Sequence, residues 1–311
     1  MTDNKNVIAI TIDLLAGTSG GIAQILVGHP FDTLKVTMQN SFGQASPVAT
    51  FQHIAQTAGL RGFYAGIGPP LYTVAAFNAL LFSVTGSLHR FIRPNGGDPT
   101  PREAALVGAA AGPAVSVLAT PTELLKCRLQ AQGGARPPVN VMYTMADAKA
   151  GKILYKGPFD ALVKVSQYEG GLPALFRGFM PTVAREVIGN ATYFGTYLYL
   201  KQQLRELNGF SKDSELSFLS LMLAGGVAGA AFWLPVIPVD NIKTRIQLDN
   251  PHNPSYRGTI DCALKIASTQ GIEGLFRGWQ PCLLRSVPAN AALFTTYEIA
   301  FTHLQTLFLS P

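Results

Sequence analysis

The sequence contains little charge: only 14% of its 311 residues are Asp, Glu, Lys or Arg, whereas soluble proteins average about 25%. Its three cysteines, Cys127, Cys262 and Cys282, are too few and too widely spaced to indicate a disulfide framework or a metal site. It also lacks a long apolar run free of glycine, proline and charge, so a single lipid-anchored span is not expected. Because 48% of the chain is hydrophobic and 31 residues are glycine, we expect helices packed closely around a polar cavity within a membrane.

Other absences narrow the function. The formal net charge is +6, but the basic residues form no run, so nucleic acid is not an expected partner. No charged or Arg/Ser-rich leader precedes residue 7, and we expect no cleavable presequence. There is no Walker pattern, no His-Glu-x-x-His and no pair of acids outside the motifs described next. We therefore expect no enzyme, no cofactor and no metal.

One short motif occurs three times. It reads PFDTLK at 30–35, PTELLK at 121–126 and PVDNIK at 238–243, and a glutamine follows each lysine by four residues: Gln39, Gln130 and Gln247. Each copy places an acid and a lysine on one helical face, directly after a proline. Six unpaired charges inside a membrane would cost roughly 15–20 kcal/mol. They must therefore pair with one another or face water inside a bundle.

A second marker, an aromatic residue followed two positions later by glycine, ends at Gly66, Gly178 and Gly278 after the three motifs. The two markers divide the chain into three repeats, predicted at 1–98, 99–212 and 213–311 within one integral domain. The extra residues of the second repeat fall in 133–157, which is rich in Gly, Pro and Lys and is predicted to be a surface loop.

Each repeat is predicted to contain two long helices joined by a short amphipathic helix. The first long helices are expected at 11–39, 103–131 and 216–248, the short ones at 48–58, 158–168 and 259–270, and the second long ones at 68–92, 180–205 and 280–305. The predicted fold is an all-α membrane protein with six transmembrane helices in three pseudo-symmetric two-helix repeats. A soluble helical repeat array is disfavoured because its periods are much shorter, about 33–47 residues.

The threefold Pro-x-[Asp/Glu]-x-x-Lys motif, its glutamines and the aromatic-x-Gly markers resemble the mitochondrial carrier family over almost the whole chain. The resemblance implies a central site with alternating access, short interfacial helices on the matrix side, and a location in the mitochondrial inner membrane as a multi-pass protein. It also implies a matrix gate of three cyclic ion pairs braced by the glutamines. The expected pairs are Asp32 with Lys126, Glu123 with Lys243, and Asp240 with Lys35.

The family's cytosolic gate, an aromatic-acid-x-x-base pattern on the second long helices, is incomplete here. The third repeat has Tyr297 and Glu298 but Phe301 where a base is expected. The second has Tyr197 and Lys201 without an acid. In the first repeat His89 stands at the base position, so at best one pair, Glu298 with His89 or Arg90, is expected. We therefore predict that the resting protein is open to the cytosol and closed to the matrix.

Arg185 and Arg285 each lie seven residues after a marker glycine, at one depth on equivalent helices. We interpret them as carboxylate-binding groups and the adjacent Glu186 as a partner for an amine; the alternative is that Arg185 and Glu186 only form an internal ion pair. Phe77 is expected to contact substrate or to serve in packing. Asn78, Asn190 and Asn290 are expected to line the cavity or to bond between helices. Outside this set, we interpret His29 as a hydrogen-bonded interior imidazole and Trp233 as a packing or interface residue.

The Arg-Glu pair resembles the carnitine/acylcarnitine and amino-acid branch of the family. Because no acid occurs from 59 to 92, a dibasic amino acid would lack a partner for its second amine. Carnitine, acylcarnitine, a zwitterionic amino acid or a glutamate-like one all remain open. The alternatives are a non-transporting membrane adaptor on a carrier scaffold and a proton or fatty-acid leak carrier. The expected partners are the small-molecule substrate and membrane lipid, with cardiolipin a candidate at the matrix-side helices. A monomer is expected, since three repeats complete one barrel.

Overall fold

A computed structural model describes residues 2–40, 46–93, 99–132, 147, 149–150, 153–207 and 218–309. Six long helices carry the fold: α1 (Thr2–Asn40), α3 (Gly68–Ile92), α4 (Pro101–Ala131), α6 (Phe179–Leu207), α7 (Phe218–Leu248) and α9 (Trp279–Leu309). Three shorter helices lie between them: α2 (Pro47–Gly62), α5 (Pro158–Tyr168) and α8 (Thr259–Gln270). Two short 3-10 helices, Leu172–Phe176 and Ile272–Phe276, lead into α6 and α9. The nine predicted helices are therefore all present, with bounds close to those expected, and the loop predicted at 133–157 lies largely outside the described residues.

The six long helices form a closed ring. Each packs against two neighbours, in the order α1, α3, α4, α6, α7, α9 and back to α1. At one end, α1, α4 and α7 also contact one another, and at this end α2, α5 and α8 pack against α1, α4 and α7 respectively. Four of the long helices, α1, α3, α4 and α7, are long and apolar enough by length and composition to cross a membrane.

The marker glycines owe their place to the turn before the second long helix of each repeat. Gly66, Gly178 and Gly278 have φ angles of 75°, 80° and 82°, a left-handed conformation that side chains with a Cβ disfavour. At Gly66 the backbone also lies close to its neighbour, since a Cβ there would be 2.7 Å from the carbonyl oxygen of Lys126.

The short helices present one apolar face inward and another outward. In α8, Cys262 and Ile266 are buried against Ile242 of α7, whereas Ile260 and Leu264 are 77% and 64% exposed. This pattern fits a helix that lies at the membrane surface with one apolar side towards lipid.

Candidate functional site

The acids and lysines of the repeated motif meet at the end of the ring where α1, α4 and α7 converge; we call this the charged end. The nitrogen–oxygen distances are 2.5 Å for Lys126–Asp32, 2.7 Å for Lys243–Glu123 and 2.5 Å for Lys35–Asp240. Each lysine reaches the acid of a different long helix, so the pairs join all three repeats in a cycle. The structure thus makes the three pairings that the sequence predicts.

Arg185 lies in this same cluster rather than in a separate site. Its Nη2 is 2.7 Å from Glu123 Oε1, it donates a hydrogen bond to Glu186, and its Nε is 3.9 Å from Asp240 Oδ1. Three carboxylates therefore surround one buried guanidinium. In this conformation Arg185 and Glu186 form the internal ion pair that the sequence left as an alternative to substrate binding.

Arg285 contributes a second arginine from α9 and forms an ion pair with Asp32, which also binds Lys126. The approach depends on Gly28 of α1, because a Cβ at that position would lie 2.9 Å from Arg285 Nε. The sequence analysis missed this role of Gly28, although its position two residues before the motif proline could have suggested it.

The charged end holds one more cation than carboxylates. Its five cations are Lys35, Lys126, Lys243, Arg185 and Arg285, and its four carboxylates are Asp32, Glu123, Asp240 and Glu186. If each lysine takes its motif acid and Arg185 takes Glu186, Arg285 remains as the surplus cation. Its side chain is 25% exposed, more than that of any of the other four.

Trp233 belongs to the same cluster: its ring packs against Phe232 at 5.3 Å, as the interpretation as a packing residue expects, and it also contacts cations, which the sequence analysis missed. The Nζ of Lys35 is 4.4 Å from the centroid of the Trp233 ring, and Cζ of Arg285 is 5.9 Å from it. Trp233 precedes Asp240 by seven residues, about two helical turns, so both lie on the inward face of α7. The indole thus offers a face to cations beside the acids.

The glutamines only partly match the predicted bracing of the ion pairs. Gln39 Nε2 is 3.5 Å from Asp240 Oδ2, the nearest approach to that role. Gln130 instead donates to Thr33 Oγ1 at 3.1 Å and lies 3.4 Å from the His29 ring, because its side chain turns towards α1. The amide of Gln247 is buried without a hydrogen-bond partner among the described residues, and its Cγ packs over Gly178. For Gln130 and Gln247 the bracing prediction is therefore wrong in this conformation.

The three predicted cavity asparagines have different surroundings. Asn290 accepts a hydrogen bond from Gln24 of α1 at 2.9 Å, and Asn190 donates to Glu186 at 3.0 Å. The amide of Asn78 packs against Gly21 of α1, and Phe77 is half-buried in α3. Only Asn190 thus touches the charged cluster directly.

His29 is an interior imidazole, as the sequence predicts. It is 1% exposed, its Nε2 lies 2.8 Å from the Ala65 carbonyl oxygen, and its ring stacks on Tyr64 at 6.3 Å.

The opposite end of the ring, which we call the aromatic end, holds Tyr193, Tyr197, Tyr297 and Phe301. Rings stack there at 6.3 Å between Tyr193 and Tyr197 and at 5.6 Å between Tyr297 and Phe301. Tyr297 also donates to Asp13 of α1 at 3.1 Å, a contact that the sequence analysis missed.

The surviving ion pair that the sequence allowed at the aromatic end is absent. Within the described ranges, Glu298, His89 and Lys201 take part in no ion pair, and Arg90 donates to Ser87 at 3.2 Å. Glu298 has no base one turn further along α9, where Phe301 stands, so nothing on its own helix draws it into a pair.

Comparison with known proteins finds mitochondrial carriers and transporters. The model of the mitochondrial carrier protein family matches the chain three times, over residues 7–96, 97–208 and 214–307. A mitochondrial carnitine/acylcarnitine carrier-like protein of Arabidopsis thaliana is 45% identical over 301 residues, covering 94% of this chain and 98% of that protein. The human mitochondrial basic amino acids transporter is 36% identical, covering 94% and 91%. The mitochondrial glycine transporter of Saccharomyces cerevisiae is 35% identical, covering 96% and 92%.

Proposed function

Because the chain belongs to the mitochondrial carrier family and is a solute transporter of the inner membrane, we propose that it exchanges a carboxylate-bearing amino compound by alternating access. The surplus cation at the charged end is the observation that carries this proposal. Arg285 is the most exposed cation of the cluster, and its one ion-pair partner among the described residues, Asp32, is shared with Lys126. A substrate carboxylate can replace Asp32 on Arg285 while Asp32 keeps its lysine.

Substrate binding and gate opening would then be coupled. When a carboxylate draws Arg285 away, Asp32 loses one of its two cations, and the ion pair that joins α1 to α9 is broken. A ligand shifts a conformational equilibrium only through such a difference in binding between the two states. Arg185 is less available for this role, since three carboxylates surround it.

The amino group of the substrate has two possible partners beside Arg285. Glu186 provides a carboxylate, and the indole of Trp233 provides a face that already attracts Lys35 and Arg285. An aromatic face suits a quaternary ammonium as well as a primary one. Both features support carnitine, an acylcarnitine, or an amino acid with one amine.

The relatives are named for carnitine, glycine and basic amino acids, so their names do not select one substrate. The net charge of each candidate substrate distinguishes between them. A dibasic amino acid would add its second positive charge to a cluster that already has a cation in excess. A zwitterion such as carnitine or glycine adds no net charge, and a glutamate-like monoanion would balance the surplus. We therefore rank zwitterionic and acidic substrates above dibasic ones.

Exchange in liposomes tests the proposal. Liposomes that contain the protein are loaded with unlabelled carnitine, glycine, glutamate or lysine. They are expected to take up a labelled member of the same panel only when a counter-substrate is inside. Lysine is expected to compete least. Uptake without a counter-substrate would indicate a leak carrier, and no uptake from any member of the panel would indicate a membrane adaptor.

We also propose a monomer in one integral domain, because the six helices already close a ring.

A cavity between the first and second repeats is the proposed binding site for a lipid head group. Its volume is about 360 Å³, and it is lined by Arg61, Lys156 and the backbone at Gly66 and Gly157. Cationic side chains beside the N-termini of α3 and α5 suit a phosphate head group, so cardiolipin is the proposed occupant. Arg61→Gln with Lys156→Gln should reduce the bound cardiolipin seen by native mass spectrometry.

A further inference from the structure

Equivalent positions of the second and third repeats, on the matrix side, differ in net charge. In the second repeat, Arg128 at the end of α4 binds Glu169 at 2.8 Å, and Arg177 binds Asp249 at 3.2 Å. The hydroxyl of Tyr155 also donates to Glu169 at 3.1 Å. Each arginine there has a carboxylate, so the place is electrically balanced.

The third repeat keeps the arginines and loses the acids. Arg245 and Arg277 stand where Arg128 and Arg177 do, and Gln270 replaces Glu169. Arg245 is 7% exposed, donates from Nη2 to Gln270 Oε1 at 2.8 Å, and donates from Nε to Asn241 Oδ1 at 3.1 Å. The Nη2 of Arg277 is buried without a hydrogen-bond partner in the part of the chain that the structure describes.

Neighbouring acids among the described residues do not supply the negative charge that the third repeat lacks. Asp249 binds Arg177 and accepts hydrogen bonds from the backbone of Ser255 and Tyr256, and Asp261 binds Lys265 at 3.0 Å. Within the described ranges, neither Arg245 nor Arg277 forms an ion pair. The segment at 41–45 that follows α1, SFGQA, contains no acid.

The two arginines also repel each other. Burial, together with the positive charge of Arg245, lowers the pKa of Arg277. Buried charges without a counter-charge destabilise a fold, so this pair favours an anion supplied from outside the chain.

A cavity opens beside Arg245. Its volume is about 500 Å³, and it is lined by Arg245, Ser255, Tyr256, Lys265, Thr269 and Gln270. Arg245 makes no other hydrogen bond among the described residues than those to Gln270 and Asn241, so its Nη1 is available to an occupant. The lining thus combines cations with side chains that carry hydroxyl or amide donors.

We propose that this cavity is a binding site for a phosphate group at the matrix face of the third repeat. Arg245 lines the cavity and lacks a carboxylate, and a phosphate group carries about two negative charges and three acceptor oxygens. Arg245 binds the phosphate through the guanidinium edge that faces the cavity. The phosphate takes the part that Glu169 plays in the second repeat. The site is separate from the substrate cluster and does not depend on which substrate is carried.

Thermal unfolding of the purified protein in detergent, with inorganic phosphate against potassium chloride of equal ionic strength, tests the site. The wild type is expected to show a saturable rise in Tm of roughly 2–4 °C. Gln270→Glu supplies the missing carboxylate with the same shape, so it should raise Tm without phosphate and reduce the phosphate response to what remains at the separate cavity lined by Arg61 and Lys156. Gln52→Glu, the same change at an exposed position on α2, controls for net charge and should keep the response.

The source of the phosphate is distinguished in lipid nanodiscs. Phosphatidic acid added to phosphatidylcholine should raise Tm more in the wild type than in Gln270→Glu if a lipid head group is the occupant, whereas a larger response of the wild type to inorganic phosphate alone assigns a free anion. Glu169→Gln gives the mirror test, because it should create a phosphate response in the second repeat. Equal responses of the wild type and Gln270→Glu to both probes, or no response of the wild type to either, would overturn the proposal.

Discussion

The two ends of the same six helices are held by different interactions. At the charged end, three lysine–carboxylate pairs of 2.5–2.7 Å join all three repeats, and two arginines add further pairs. At the aromatic end, the side-chain contacts include stacked rings, one tyrosine–aspartate hydrogen bond and an ion pair of 2.8 Å between Arg93 and Glu103, whose side chains are 32% and 28% exposed. Glu298, His89 and Lys201 form no ion pair within the described ranges. Among the described residues, the buried ion pairs that join the repeats inside the ring thus lie at the charged end.

This difference predicts the resting state. Buried ion pairs lose their partners when the end opens, and an unpaired buried charge is costly. Opening the aromatic end breaks no ion pair of comparable burial. We therefore expect the matrix side to be the closed one at rest, with substrate entering from the cytosolic side.

The largest expected effect is a difference between the variants of Arg285 and Arg185. Arg285→Ala should lower exchange by roughly 30-fold or more, because a partner of the substrate carboxylate is lost, yet it leaves four cations and four carboxylates and should change Tm little. Arg185→Ala removes the cation that pairs with the buried Glu186, while Glu123 keeps Lys243, and it should cost about 3–5 kcal/mol of stability.

Exchange rates and Tm are measured for both variants. Arg285→Lys serves as the control, since it keeps the charge without the planar fork and should recover part of the activity. A large loss of Tm in Arg285→Ala would mean that Arg285 holds the bundle together rather than binding substrate.

The second effect concerns one ion pair at the charged end. Lys35→Met leaves Asp240, which is 2% exposed, without its lysine and should cost about 3–5 kcal/mol. Lys35→Met with Asp240→Asn should recover much of that loss. Denaturation of the single and double variants measures the coupling.

The more exposed helical pair Lys265–Asp261, at 3.0 Å on α8 with side chains 49% and 32% exposed, provides the comparison, with an expected coupling of about 0.3–0.5 kcal/mol. Equal coupling in the two pairs would contradict the view that the charged end is the strong closure.

A third prediction strengthens the weak end. Leu198→Glu with Phe301→Lys completes the acid and base positions on α6 and α9, so the aromatic end should close more often. Without substrate, the central cavity of the double variant should then be accessible from the matrix side several-fold more often than that of Leu198→Glu alone. Maleimide labelling from the matrix side is the measurement, and unchanged labelling would show that ion pairs do not govern closure there.

The sequence predicted the helices because a threefold motif fixes its own depth in each repeat, and the resemblance to the carrier family supplied the partners of the three ion pairs. It could not predict that Arg285 reaches Asp32, since that contact depends on the close approach of α1 and α9 at Gly28. Nor could it predict that Trp233 faces cations, because a lone tryptophan in an apolar helix is usually a packing residue. Gln130 and Gln247 differ from expectation for the same reason: spacing along one helix does not determine which neighbouring helix a long side chain meets.

The smallest effect concerns Cys262, on α8. Burial raises its pKa to about 12, and the thiolate is the reactive form. Below that pH the thiol stays protonated, so labelling by maleimide at pH 7 should be slow. Ser268→Cys, at an exposed position of the same helix, should react readily at pH 7, and mass spectrometry compares the two. Equal rates at pH 7 would contradict the burial of Cys262.

The most direct test of the central claim uses Tyr197→Cys in a protein whose three native cysteines are replaced by alanine. In liposomes of known orientation without substrate, an impermeant maleimide should label this cysteine from the cytosolic side and not from the matrix side. Adding substrate to both sides should make matrix-side labelling appear. Preferential labelling from the matrix side at rest would contradict the claim that the ion pairs of the charged end hold the matrix side closed.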